Sequence, residues 1–250
     1  MKTALCGVTA MLAAALIPGA TAATEIKVIA SNAVREPYLE LVPMFEKATG
    51  HKVTIIWGGT VDIIERIGGG EVVDIAIIPT PAIDDLIKQG KLAAGSRVDV
   101  ARSGVGVAVR AGARKPDISS GEAFKRSVLA AKSVVLSSGP SSVYLTELFK
   151  KMGIADQIAP KITQIGPGLS VGAAVARGEG EIGFTQVSEL LSVEGIDLVG
   201  PLPADIQHIT VFSAGLHAAA PAPDAARALM KFLTAPEAAP VMKNHGMELG

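Results

Sequence analysis

The sequence predicts an α/β protein of two lobes, each a mostly parallel sheet flanked by helices, with the chain crossing between the lobes twice. Three observations carry this expectation. Short β-branched runs alternate with amphipathic stretches, the pattern of repeated βαβ units. The alternation restarts near residue 104, after one self-contained set. The last two helical stretches, 223–233 and 236–245, have no strands of their own and should fold back on the first set.

Residues 25–30 (EIKVIA) form the first strand. A helix over 37–49 follows, with Leu39, Leu41, Val42 and Phe45 on one face and Gly50 as its stop. Residues 52–57 (KVTIIW) form the second strand, and Thr60 caps a helix that runs to Gly68. The run 72–78 (VVDIAII) is nearly all apolar, as in a strand covered on both faces. Pro81 opens a helix that Gly90 ends. After the restart, 104–110 (GVGVAVR) is a strand, and 119–131 is a helix with Ser119 as cap and Glu122 three residues on. Strands over 133–136, 161–165 and 181–186 alternate with helices over 141–152 and 170–177 and a helical turn at 188–191. Residues 196–199 close this set, and 206–216 is again strand-like. The crossings fall near 101–103 and 201–203. The expected division is therefore 23–102 with 204–250 for the first lobe and 103–203 for the second.

Residues 1–22 stand apart. Lys2, an apolar stretch over 4–17, Pro18-Gly19 and the small exit Ala20-Thr21-Ala22 occur in the order of a secretory signal. The mature chain is thus expected outside the cytoplasm, beginning near Ala23. Cys6, the only cysteine, lies within that segment, so the remainder can form neither a disulfide nor a thiolate metal site. The net charge is −1, or −2 once Lys2 is removed, and aromatic residues are 4 %. Neither a basic footprint nor a stacking platform for nucleic acid is present. His51, His208, His217 and His245 show no ligand spacing, and no GxxxxGK[ST] loop occurs. The reading therefore includes no metal, no cofactor and no nucleotide hydrolysis.

In open parallel sheets, ligands bind beyond the carboxyl ends of the strands. There the chain places Ser31 and Asn32, then Gly58, Gly59 and Thr60, then Ser137, Ser138, Gly139, Pro140, Ser141 and Ser142. Gly166, Gly168, Ser170 and Val171 follow, then Thr185, Gln186 and Ser188. Nearly all are small, polar and uncharged. Glycine admits close approach to the backbone, hydroxyls donate, and a helix start offers unpaired N–H groups at the positive end of its dipole. Several such starts meeting in one crevice hold an anion without a charged side chain. Taken singly, Thr60, Ser119, Ser141 and Ser170 read equally well as helix caps; their recurrence at successive strand ends favours the ligand. Residues 168–172 match the nucleophile pattern GxSxG, with Ser170 at its centre and His208 or His217 as partners, although Pro167 disfavours the tight turn that the pattern needs. Arg35, Arg66 and Arg177 lie near these loops and read first as solvated helix residues. No base is evident beside the crevice.

Three stretches carry a family resemblance: FEKATG at 45–50 before a strand, VDIAI at 73–77, and GEGEIG at 178–183. With them the chain resembles the periplasmic molybdate-type binding proteins of ABC transporters, within the type II periplasmic-binding fold. The resemblance implies a periplasmic monomer that closes on a small anion and delivers it to a membrane permease. By position it implies ligand contacts at Ser31, Asn32, Ala33, Gly59, Thr60, Ser141, Ser142, Val171 and Gln186, to which the strand-end reading adds Ser170, and no catalytic residue is expected. Three departures bear on the ligand. The family's serine in the first loop is either shifted or replaced by Ala33, Gly58-Gly59-Thr60 replaces a serine run, and Gln186 replaces a tyrosine. The swaps favour an organic carboxylate beside an oxyanion. Because relatives of this branch resemble a periplasmic aconitate isomerase, an isomerase of a small unsaturated polycarboxylate is the alternative.

Overall fold

A computed structural model describes residues 23–166 and 168–250; the signal expected over 1–22, and Pro167, lie outside them. In the first half, β1 (Glu25–Ser31) lies between β2 (Lys52–Gly58) and β3 (Ile75–Pro79), all parallel. Helices α1 (Arg35–Thr49), α2 (Thr60–Gly68) and α3 (Thr80–Lys88) connect and cover them. Coverage on both faces is visible in β1. Its Ile26, Val28 and Ala30 join one core with Tyr38, Leu41 and Phe45 of α1. Its Ile29 joins another with Ile63, Ile67, Ile83 and Leu86 of α2 and α3. Fully burying a side chain of this kind is worth about 1.5–3 kcal/mol, so a charge at any of these sites would break the sheet's cover.

Two local expectations are corrected. Helix α1 begins two residues earlier than the pattern suggests, and its buried stripe is Tyr38, Leu41, Val42 and Phe45; Leu39 is 53 % exposed. The strand expected from Val72 starts at Ile75, because Asp74 turns its carboxylate to backbone N–H groups on neighbouring segments.

The long strand β4 (Val98–Arg110) runs through both halves. From Val98 to Gly104 it pairs antiparallel with β9 (Ile209–Leu216), which in turn borders β3. From Val105 onward it pairs with β7 (Ile182–Gln186) and, through Gly106 to Arg110, with β8 (Ile196–Pro201). Residues 101–103, expected as a bare crossing, are therefore strand. The return segment is pinned to β4 by Gln207, whose side chain accepts from Val105 N–H at 2.9 Å and donates to Val105 C=O at 3.1 Å.

The second half repeats the first. Strand β5 (Val134–Leu136) lies between β7 and β6 (Ile162–Gln164), all parallel. Helices α4 (Gly121–Ala130), α5 (Pro140–Lys151), α6 (Ala155–Ile158), α7 (Val171–Ala176) and α8 (Val187–Leu190) accompany them. The cap of α4 is Ser120, whose hydroxyl accepts from Ala123 N–H at 3.2 Å; Ser119, the expected cap, instead donates its own N–H to Asp117. Helices α9 (Pro223–Leu233) and α10 (Ala239–Asn244) place Leu229, Met230, Leu233 and Met242 in the core that holds α1.

Candidate functional site

The carboxyl ends of β1, β2, β5 and β7 face one another across a cleft. Of the residues read from the sequence, Ser31, Asn32, Ala33, Gly59, Thr60, Ser141 and Gln186 all line it. Thr60 and Ser141 come from opposite halves. Ser170 and Val171 line a second cavity that shares Asn32, Gly168, Leu169 and Glu189 with the first. Ser142 lines neither cavity; it is buried in α5, where Gln164 donates to its hydroxyl at 3.4 Å.

The local chemistry separates ligand donors from caps. The cap of α2 is Gly59, with no side-chain bond, so Thr60 is the first helical residue rather than the cap. Its hydroxyl makes no hydrogen bond among the described residues. Gly139 likewise caps α5 without a side-chain bond, and Ser141 Oγ lies 3.1 Å from Ser137 Oγ. Thr60 Oγ1 is therefore available, and Ser141 Oγ keeps further hydrogen-bonding capacity beyond its contact with Ser137, each beside a helix start that carries partial positive charge. Ser31 is half committed, accepting from Ala33 N–H at 3.3 Å. Ser170 is a true cap, accepting from Ala173 N–H at 3.2 Å. Its backbone is ordinary extended chain, with φ −90° and ψ 122°, rather than a strained elbow. The ring of His208 stacks on Tyr144, and His217 Nδ1 accepts from Ala219 N–H. Neither histidine bonds Ser170 among the described residues, so the hydrolase pattern is not assembled.

One property of an expected residue, Gln186, and one further residue were not read from the sequence. Gln186 is 1 % exposed; its Nε2 donates to Thr210 Oγ1 at 3.0 Å, while its Oε1 is buried without a partner. A buried amide oxygen left unpaired is costly, and here it borders the cleft. The second is Glu189, the only ionisable residue among the described residues that line the first cavity. The expectation that no base stands beside the crevice is thus corrected. Thr185 Oγ1 donates to Glu189 Oε2 at 2.5 Å. Burial pushes its carboxyl above the usual carboxylate range, against the bonds from Thr185 and the Gln186 backbone that favour the charged form. The signal was present in its spacing: Glu189 sits three residues beyond the end of β7 on the short α8. Its burial was not visible in the sequence.

A raised carboxyl pKa stabilises the fold below the unfolded-state value and loses that contribution as pH rises through the folded value. Glu189→Gln is therefore expected to melt higher than the parent at pH 8. The two curves should converge as pH falls below the ordinary carboxylate range. Thermal unfolding across pH 4–8 checks this, and a gap that stays constant with pH would refute the assignment.

Comparison with known proteins is decisive for the family. The family model described as bacterial extracellular solute-binding protein matches residues 26–248. The chain belongs to this family. An aconitate isomerase from Pseudomonas sp. is 38 % identical over 95 % of this solute-binding protein and 93 % of that relative. The molybdate-binding protein ModA of Azotobacter vinelandii is 28 % identical over the full length of both chains. Among solved structures, the A. vinelandii periplasmic molybdate-binding protein superposes with a TM-score of 0.75 at 20 % identity, over 90 % of this chain and 99 % of that one. The two-lobed fold is common to both. Among the described residues, no helix is long and apolar enough to cross a membrane, and no group of three or more His, Cys, Asp or Glu is placed to hold a metal ion.

Proposed function

We propose that this solute-binding protein captures a small anion outside the cytoplasm, in the periplasm, and presents it to an ABC-type permease. The lobes divide as 23–102 with 204–250 and 103–203, and they close about β4 and the segment 201–208. The observation that carries this is the meeting of Thr60 and Ser141, from opposite halves, across a cleft that, among the described residues, is lined by neither lysine nor arginine. Hydroxyls of Ser31, Thr60 and Ser141, with the N–H groups of the α2 and α5 starts, form the grip. Binding stabilises the closed arrangement, because only there do both sets of donors reach one ligand. Gln186 favours an organic acid over a bare oxyanion. Thr210 can donate or accept, so the amide can present either its oxygen or its NH₂ to the ligand. The test is calorimetric titration with molybdate, tungstate, sulfate and di- and tricarboxylates, alongside fluorescence of Trp57, which borders a cavity with Gly58 and Gly59. At least one anion is expected to saturate; a panel with no saturable signal would end this reading.

Glu189 favours a second reading, an isomerase of a small unsaturated polycarboxylate, the class of activity named for the Pseudomonas relative. A carboxylate made more basic by burial takes a proton from the carbon next to the double bond, the double bond migrates, and the same proton returns to the far carbon. Nothing is oxidised or reduced. Turnover of cis- or trans-aconitate that Glu189→Gln abolishes while binding persists would establish it, and absence of turnover by the parent protein would remove it.

A further inference from the structure

The second cavity has its own chemistry. Arg35, the first residue of α1, lines it, as do Ser170, Ser188, Ser192 and the shared Glu189. Of the three arginines near the strand-end loops, Arg66 is held by Glu71 at 2.6 Å and Arg177 by Glu179 at 2.6 Å. Arg35 has no acidic partner among the described residues, although Glu36 also borders the cavity. Ser188 supplies an independent pointer: it is 2 % exposed, and its Oγ is buried with no hydrogen-bond partner. A hydroxyl sealed in this way and left unpaired is a donor waiting for an acceptor. Ser170 accepts from Ala173 N–H and keeps its own proton free to donate.

We propose that this cavity is a second carboxylate subsite, so that the ligand is a polycarboxylate with one carboxylate on the neutral donors of the main cleft and another on Arg35 and Ser188. The inference rests on the anion-capture reading and extends it to a substrate class. The two cavities share Asn32 and Glu189, so a ligand that reaches from one into the other borders the Glu189 side chain. Guanidinium is suited to the outer position because it presents a planar pair of donors to a carboxylate and keeps its charge at any working pH.

The experiment is calorimetry on the mature chain with tricarballylate, which has no double bond to isomerise, and with butyrate and molybdate as probes of the main cleft alone. The parent protein is expected to bind tricarballylate at least tenfold more tightly than butyrate. Arg35→Gln and Ser188→Ala should each weaken tricarballylate by about tenfold while leaving the single-site probes within twofold. Arg177→Gln, which removes the same charge elsewhere, should change nothing. If Arg35→Gln and Ser188→Ala both leave tricarballylate within twofold, or if Arg177→Gln weakens it equally, the subsite is refuted while anion capture stands. If no anion binds, both fall together.

Discussion

Asp74→Ala is expected to lower stability by about 3–5 kcal/mol and the melting temperature by roughly 10 °C. The side chain is 1 % exposed, yet it touches no ligand cavity. Its Oδ2 accepts from Lys27 N–H at 2.8 Å and its Oδ1 from Ala222 N–H at 2.6 Å. Its backbone also donates to Lys27 C=O at 2.7 Å and accepts from His217 N–H at 2.9 Å. One residue thus ties β1, the exit from β9 and the start of α9 into a single knot. Truncation leaves two part-buried N–H groups without their acceptor, and the loss is a large part of the roughly 5–15 kcal/mol that holds a domain folded. Asp74→Asn should fall between, since an amide keeps one acceptor and points a donor at the other N–H. Thermal and urea unfolding of the three proteins measures the series; a melting temperature for Asp74→Ala within about 1 °C of the parent would refute the knot.

The same residue shows how far the sequence could be read. VVDIAII looks like one continuous strand, because periodicity registers apolar character and not where an acid turns to find its partners. The interruption at Asp74 is set by Lys27 and Ala222, distant in sequence, and appears only with the tertiary fold. Strand β4 failed for the opposite reason. Asp99, Arg102 and Ser103 break the apolar run before Gly104, so the segment read as a connection. Pairing with β9, and the 2.7 Å bond from Ser213 Oγ to Asp99, make it strand. Local signals did better where geometry is local: Gly50, in the left-handed region at φ 76°, ends α1 as a glycine stop should. The cleft was legible to the same degree. Thr60, Ser141 and Gln186 could be found because a ligand site in such sheets lies just past a strand. Glu189 lies just past a strand too, but the desolvation of its carboxyl, which sets it apart, was not legible in the sequence.

Removing one hydroxyl from each side of the cleft is expected to affect binding most. Thr60→Ala and Ser141→Ala should each weaken the tightest-binding anion of the panel by about tenfold, since each loses one hydrogen bond to a charged acceptor. The double variant should lose about a hundredfold or more. Neither change should lower the melting temperature of the ligand-free protein, because Thr60 Oγ1 makes no hydrogen bond among the described residues and Ser141 gives up only its contact with Ser137. That contrast separates a ligand contact from a fold contact, which affinity alone cannot do. The pair also reports closure. If the anion is gripped from both halves at once, losing either hydroxyl weakens the ligand's preference for the closed form, and the Trp57 response should shrink with the affinity. Should either single variant keep parental affinity while the other abolishes binding, the anion would be held by one half only, and the cleft would be a pocket rather than a clamp.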